Sequence, residues 1–101
     1  MNALGDWLDR HTALAPPELR ARVREDALAA RLAEPLPAAL ASAGRAALER
    51  VVIHPGDRSV ALDLLAADAL ITLALLAQAQ RAPGELSTFA ASILQAVRAP
   101  A

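Results

Sequence analysis

The stretch His54-Pro55-Gly56-Asp57-Arg58-Ser59 is the one place where histidine, aspartate, arginine and serine stand together. Nucleophilic catalysis needs a nucleophile, a base within hydrogen-bond reach and a third group that orients the base. Ser59, His54 and Asp57 could formally fill those roles. Each residue also has a simpler use. His54 ends an apolar helical pattern, where the helix dipole favours its cation, and Pro55-Gly56 is an ordinary helix stop. Asp57 and Ser59 stand where N-caps of the next helix belong. Helix termination and capping therefore account for the whole stretch, and no catalytic residue is assigned. A small enzyme or metal site around His54 and Asp57 ranks third among the readings of the chain.

Asp63 and Asp68 are more informative, because both interrupt an apolar run. Five residues apart on a helix, they diverge by about 140°, so they do not form a paired-carboxylate site on one face. A carboxylate buried in such a run must be paired, hydrogen-bonded or neutralised. Arg45 and Arg50 precede the run, Arg58 stands at its start and Arg81 beyond its end. Intramolecular ion pairs that fix helix register are the expected use. The alternative puts one aspartate at the rim of a subunit contact, facing an arginine of a partner chain. Metal binding ranks last: His11 and His54 lie far apart, and there is no EF-hand loop, no HExxH and no Glu-x-x-His pair. No metal and no cofactor is expected.

Composition narrows the classes further. A chain of 101 residues is one domain, here 1–101, and it can bury a core without metal or disulfide staples. Cysteine is absent, which removes disulfides, thiol nucleophiles and Cys-ligated metal centres. Ten arginines against eleven acidic residues leave a net charge of -1, which makes no electrostatic footprint for nucleic acid or an anionic membrane. Trp7 and Phe89 are the only aromatic residues, so base-stacking platforms and aromatic cages are not expected. Every basic residue other than histidine is arginine, and the bias towards Ala, Arg, Leu and Pro follows GC-rich codons, which predicts a GC-rich bacterial source. Asp6 and Asp9 interrupt the first apolar stretch and no basic run precedes it. A signal peptide is not expected there, and the cytoplasm is the default compartment.

Proline and glycine divide the chain into five segments with helical periodicity, over 3–12, 17–33, 37–54, 58–80 and 85–98. The first puts Leu4, Trp7, Leu8 and His11 on one face. The second carries two apolar stripes, Leu19, Val23, Ala27 and Ala30 on one side and Leu28 and Leu32 on another, with Arg20, Arg24 and Arg31 in water. The third sets Ala41, Ala43, Gly44, Ala46 and Ala47 where another helix can approach closely. The fourth is apolar on every side, as a buried central helix or a membrane span would be. Two aspartates at about 2.5 to 3.5 kcal/mol each near a bilayer centre favour the buried soluble helix. The fifth is amphipathic and closes over the fourth. The expected fold is all-α, a compact four- or five-helix bundle with a central apolar helix. Its expected core contains Leu40, Val51, Leu62, Leu65, Leu70, Leu73, Phe89 and Ile93.

Apolar side chains outnumber what a monomer of this length covers easily, so some apolar surface should remain for a partner. The expected function is a non-catalytic interaction module, self-associating or docking onto a larger protein as part of an assembly. Leu4, Trp7 and Leu8 of the first helix, with Leu28 and Leu32 of the second, are the expected contact residues, and a two-fold homodimer is the default arrangement. The rival reading is a bundle that binds an apolar small molecule in an Ala- and Leu-lined cavity.

Overall fold

Proline and glycine set the helix boundaries, as their backbone chemistry requires. In the computed structural model, which describes residues 3–30, 35–53, 56 and 58–98, five α-helices follow one another. They are α1 (Ala3–His11), α2 (Pro17–Ala30), α3 (Leu36–Ile53), α4 (Arg58–Arg81) and α5 (Leu86–Arg98), with a 3-10 turn over Pro83–Glu85 between the last two. Helix α1 stops at Thr12, whose backbone N–H and hydroxyl both donate to the Leu8 carbonyl, at 2.9 and 2.7 Å. Pro17 occupies the first position of α2, where its missing N–H costs nothing, and the Pro16 carbonyl accepts from the Arg20 N–H at 3.0 Å. Gly56, between α3 and α4, has φ +95°, a backbone conformation that side chains with a Cβ rarely adopt. The Cα radius of gyration is 13.2 Å, matching the roughly 13 Å of a compact domain of this length. No strand occurs among the described residues.

The most extensive helix pair is α3 against α4. They run antiparallel, with Gly44 opposite Ala67 and Ile71 and Arg50 opposite Asp63. Ala39, Ala43, Gly44 and Ala47 of α3 are buried, and so are Ala66, Ala67, Ala74 and Ala77 of α4. Small residues on both sides let the two backbones come close. A Cβ added at Gly44 would lie 2.8 Å from Ile71 Cδ1, 3.0 Å from Ile71 Cγ1 and 3.3 Å from the Ala67 carbonyl oxygen. Leu8, Val23, Leu40 and Leu70 are the largest fully buried side chains, and around them the core is built mainly from alanine.

This alanine-inward packing departs from the expected core in specific ways. Leu40, Leu70 and Leu73 are buried, but Leu65 is 54% exposed. Val51, Leu62, Phe89 and Ile93 are only half-buried. In an apolar helix the larger residues need not point inward: the inward stripe of α4 is the one that α3 can approach, and that stripe carries its alanines. The α5 helix has no buried residue at all, and Leu94 and Val97 on it are 51% and 42% exposed. By length and composition α4 could also cross a membrane. In the bundle its Asp63 is bonded to arginines of α2 and α3.

The close approach at Gly44 predicts that Gly44→Val destabilises the fold by about 1 to 3 kcal/mol, because the added methyl groups meet Ile71 and the Ala67 carbonyl. Leu14 is fully exposed, so Leu14→Ala should stay within about 0.5 kcal/mol of wild type. Urea unfolding followed by circular dichroism reads both, and a Gly44→Val protein as stable as wild type would contradict the packing.

Candidate functional site

The polar centre of the molecule is a cluster of two carboxylates and two guanidinium groups joining α2, α3 and α4. Asp63 is buried on the inward stripe of α4, 6% exposed. Its Oδ1 accepts hydrogen bonds from Arg22 Nη1 of α2 and from Arg50 Nε and Nη2 of α3, the latter two at 3.3 and 3.2 Å. Arg50 Nη2 also donates to Asp26 Oδ2 of α2 at 2.9 Å. Arg22 and Asp26 are four residues apart, one helical turn, so a single face of α2 supplies a cation to Asp63 and an anion to Arg50. The charges alternate in sign, which is what makes burial of the two carboxylates tolerable. Burial raises the pKa of Asp26, and the Arg50 guanidinium offsets only part of that. For Arg50, burial acts against the charged form, but the Asp26 and Asp63 carboxylates outweigh it and raise its pKa above the ordinary arginine value.

Of the four residues expected to form buried ion pairs, the structure brings Asp63 and Arg50 together and leaves the other two outside. Arg45 lies on the exposed side of α3, 3.7 Å from Glu49 one turn on. Asp68 is exposed and forms no ion pair among the described residues. Arg22 and Asp26 were not anticipated in this cluster, although their one-turn spacing in α2 is a visible signal. Arg24, expected in water, keeps a partly exposed side chain and also bridges α2 to α1, donating to Asp9 Oδ1 at 2.9 Å and to the Gly5 carbonyl at 3.4 Å.

The expected contact residues of α1 and α2 are mostly occupied by the bundle itself. Leu8 is 1% exposed and belongs to the core, which corrects its assignment to a partner surface. Leu4 and Trp7 pack against that core, and Leu28 is half-buried. Leu32 lies outside the described residues. Trp7 is further held by a ring of hydrogen bonds with His11 and Gln80. Trp7 Nε1 donates to Gln80 Oε1 at 3.2 Å, which orients the Gln80 amide. Gln80 Nε2 then faces His11 Nε2 at 3.3 Å, and His11 Nδ1 lies 2.9 Å from the Trp7 carbonyl oxygen. A carbonyl only accepts, so His11 carries its proton on Nδ1 and accepts at Nε2. The two rings also stack, 4.3 Å between centroids. Helix α1 is thus latched to the end of α4.

Apolar surface stays open on the other side, where α5 meets α3 and α4. An indentation of about 160 Å³ lies between α3 and α5, with Ala38, Ala41, Phe89 and Ile93 in its walls. A second, of about 270 Å³, continues between α3 and α4 and is walled by Leu48, Leu64, Ala67 and Val97, with Arg45 and Asp68 among its lining residues. Arg45, Ile71 and Val97 line both, so the two form one groove. At about 1.5 Å per residue, the 13 residues of α5 reach about 20 Å against about 36 Å for the 24 of α4, and the part of the groove near Leu48 and Leu64 is left uncovered.

His54 and Asp57 lie outside the described residues, and Ser59 stands in the first turn of α4. Among the described residues no group of three or more His, Cys, Asp or Glu side chains is placed to hold a metal ion. Comparison with models of known protein families, with curated proteins and with solved structures gives no match.

The charge cluster yields a pH prediction. Asp26 has a folded-state pKa above the ordinary aspartate value of 3.8, so protonating it favours the fold. Its contribution is complete below about pH 3.8 and is lost as the pH rises through the raised folded value towards neutrality. Asp26→Asn mimics the protonated form; its stability at neutral pH should lie within about 1 kcal/mol of wild type, and its pH dependence above about 3.8 should be flatter. Asp63→Asn strips charge from the acceptor shared by two arginines and should cost about 1 to 3 kcal/mol. Urea titrations at several pH values measure both effects; an Asp26→Asn protein much less stable than Asp63→Asn would contradict the assigned geometry.

Proposed function

We propose that the chain is a non-catalytic helical interaction module that binds another polypeptide through the open face of α3, α4 and α5. The observation that carries this reading is the exposure of large apolar side chains that line the groove: Leu64 at 51% and Val97 at 42%. Monomeric proteins rarely leave contiguous apolar surface uncovered without a use for it. The contact surface expected on α1 and α2 moves to α3, α4 and α5, because Leu4, Trp7 and Leu8 serve the chain's own core. A site of catalysis is not part of the proposal: the charges of the Asp63 cluster are matched to one another, and Ser59, expected as an N-cap, is instead the second residue of α4.

A second reading has one observation in its favour. The indentation of about 160 Å³ between α3 and α5 is largely apolar in its lining, and a small apolar molecule seated there would cover Phe89 and Ile93 in place of a partner.

Light scattering over a dilution series, on wild type and on Leu64→Ser/Val97→Ser, tests the interaction reading. The wild type should exceed the 10.5 kDa of one chain as concentration rises, and the double variant, still helical by circular dichroism, should stay near that mass. Equal masses for the two proteins throughout would exclude self-association through this face and leave only docking onto a different protein. A small molecule retained by the wild type in native mass spectrometry would then move the assignment to the second one.

A further inference from the structure

The open half of the groove has an apolar floor and a rim that carries one charge of each sign. Leu48 and Leu64 face each other across it, one from α3 and one from α4. One turn from each, the rim holds Arg45 on the α3 side and Asp68 on the α4 side. Neither charge is used in the buried cluster. Arg45 has Glu49 at 3.7 Å as its ion-pair partner, with both side chains more than half exposed. Asp68, on the line of α4 that carries Leu64 and Ile71, is exposed.

We propose that the occupant of this groove is a second copy of the chain, in a two-fold dimer in which Arg45 of each copy pairs with Asp68 of the other. This rests on the reading of the α3–α4–α5 face as an interaction surface. A two-fold contact requires one surface patch to be complementary to itself. A patch with a cation on one side of a cleft and an anion on the other meets that requirement: an axis lying along the cleft carries the α3 side of one copy over the α4 side of the other. Arg45 then faces Asp68 twice, and Leu64 of each copy lies towards Leu48 of its mate. A partner of uniform charge would leave one rim residue opposed by a like charge. A purely apolar partner, or the hydrocarbon of a lipid bilayer, would strip water from both and leave Asp68 with no cation to pair with. Only a partner with the same two charges in the opposite order satisfies both, and a second copy supplies that by symmetry.

Charge reversal makes the arrangement testable in a way that folding failure does not imitate. Arg45→Asp puts a carboxylate opposite Asp68 at both contacts of the dimer, and Asp68→Arg puts a guanidinium opposite Arg45 at both. Each single variant, with the helical content of wild type, should dissociate at about tenfold higher concentration, since every dimer loses two attractive pairs and gains two repulsive ones. Mixed in equal amounts, the two variants carry complementary rims and should form a mixed dimer with affinity within about threefold of wild type. Sedimentation velocity with one variant fluorescently labelled reads all three. A mixture no tighter than the single variants overturns the reciprocal pairing. If association still depends on Leu64 and Val97 in that case, the interaction face stands and only the arrangement falls. A wild type monomeric at every concentration refutes the second copy. Capture by uncharged phosphatidylcholine vesicles, lost in Leu64→Ser/Val97→Ser, would assign the face to lipid and likewise refute it.

Discussion

The close approach of α3 and α4 at Gly44 is the constraint on which the rest of the molecule depends. With a hydrogen in place of a side chain, Gly44 lets Ile71 and the Ala67 carbonyl come within 2.8 to 3.3 Å of where a Cβ would stand. Two helices approach this closely only along stripes of small residues. On α4 that stripe runs through Ala66, Ala67, Ala74 and Ala77, with Leu70 and Leu73 set among them. The consequence is an inversion of the usual order for part of the helix. Alanine fills the centre, and Leu64, Leu65 and Leu76 are left partly in water. Apolar side chains that a leucine-centred core would have absorbed are thereby left exposed.

The same geometry separates the two aspartates of α4 into different roles. Asp63 falls on the inward stripe, where it is held by Arg22 and Arg50, and through Arg50 it is coupled to Asp26. The cluster ties three helices together at one point and fixes the rotation of α4 about its own axis, because a buried carboxylate turned away from its arginines would be left uncompensated. Once Asp63 points inward, Asp68 stands about 140° around the helix, at the rim of the open groove. One residue type thus closes the interior and marks the exterior of the same helix, and the rotation that satisfies the first sets the position of the second.

Much of the architecture was legible in the pattern of residues. Pro16-Pro17, Pro35 with Pro37, and Pro83-Gly84 bound helices whose ends agree with the expected segments to within about one residue wherever both are described. The small residues Ala43, Gly44 and Ala47 marked α3 as the helix that another could approach, and Asp63 with Arg50 was among the foreseen ion pairs. What could not be read was the inward face of α4. Periodicity identifies a buried face only when apolar and polar residues alternate around the helix, and α4 is apolar all round, so residue size was the remaining guide and it pointed to Leu62 and Leu65. The part played by Arg22 and Asp26 was hidden for a related reason: their one-turn spacing resembles any solvated charge pair until α4 is known to present a carboxylate to it. The packing of α1 onto its own bundle could not be read, because nothing local distinguishes a tryptophan that faces a partner from one latched to Gln80 of its own chain, seventy-three residues on.

The claim that alanines hold the centre while leucines are kept for a partner is tested most directly by carbene footprinting of the wild-type protein over a dilution series. The account predicts that Leu40 and Leu70 resist labelling at every concentration, and that Leu64 and Val97 are labelled in the dilute protein and become protected as concentration rises. Leu14, fully exposed on the loop between α1 and α2, should label throughout as an internal standard. Labelling of Leu64 and Val97 that stays at the level of Leu14 at all concentrations, or protection of both even at the greatest dilution, would contradict it.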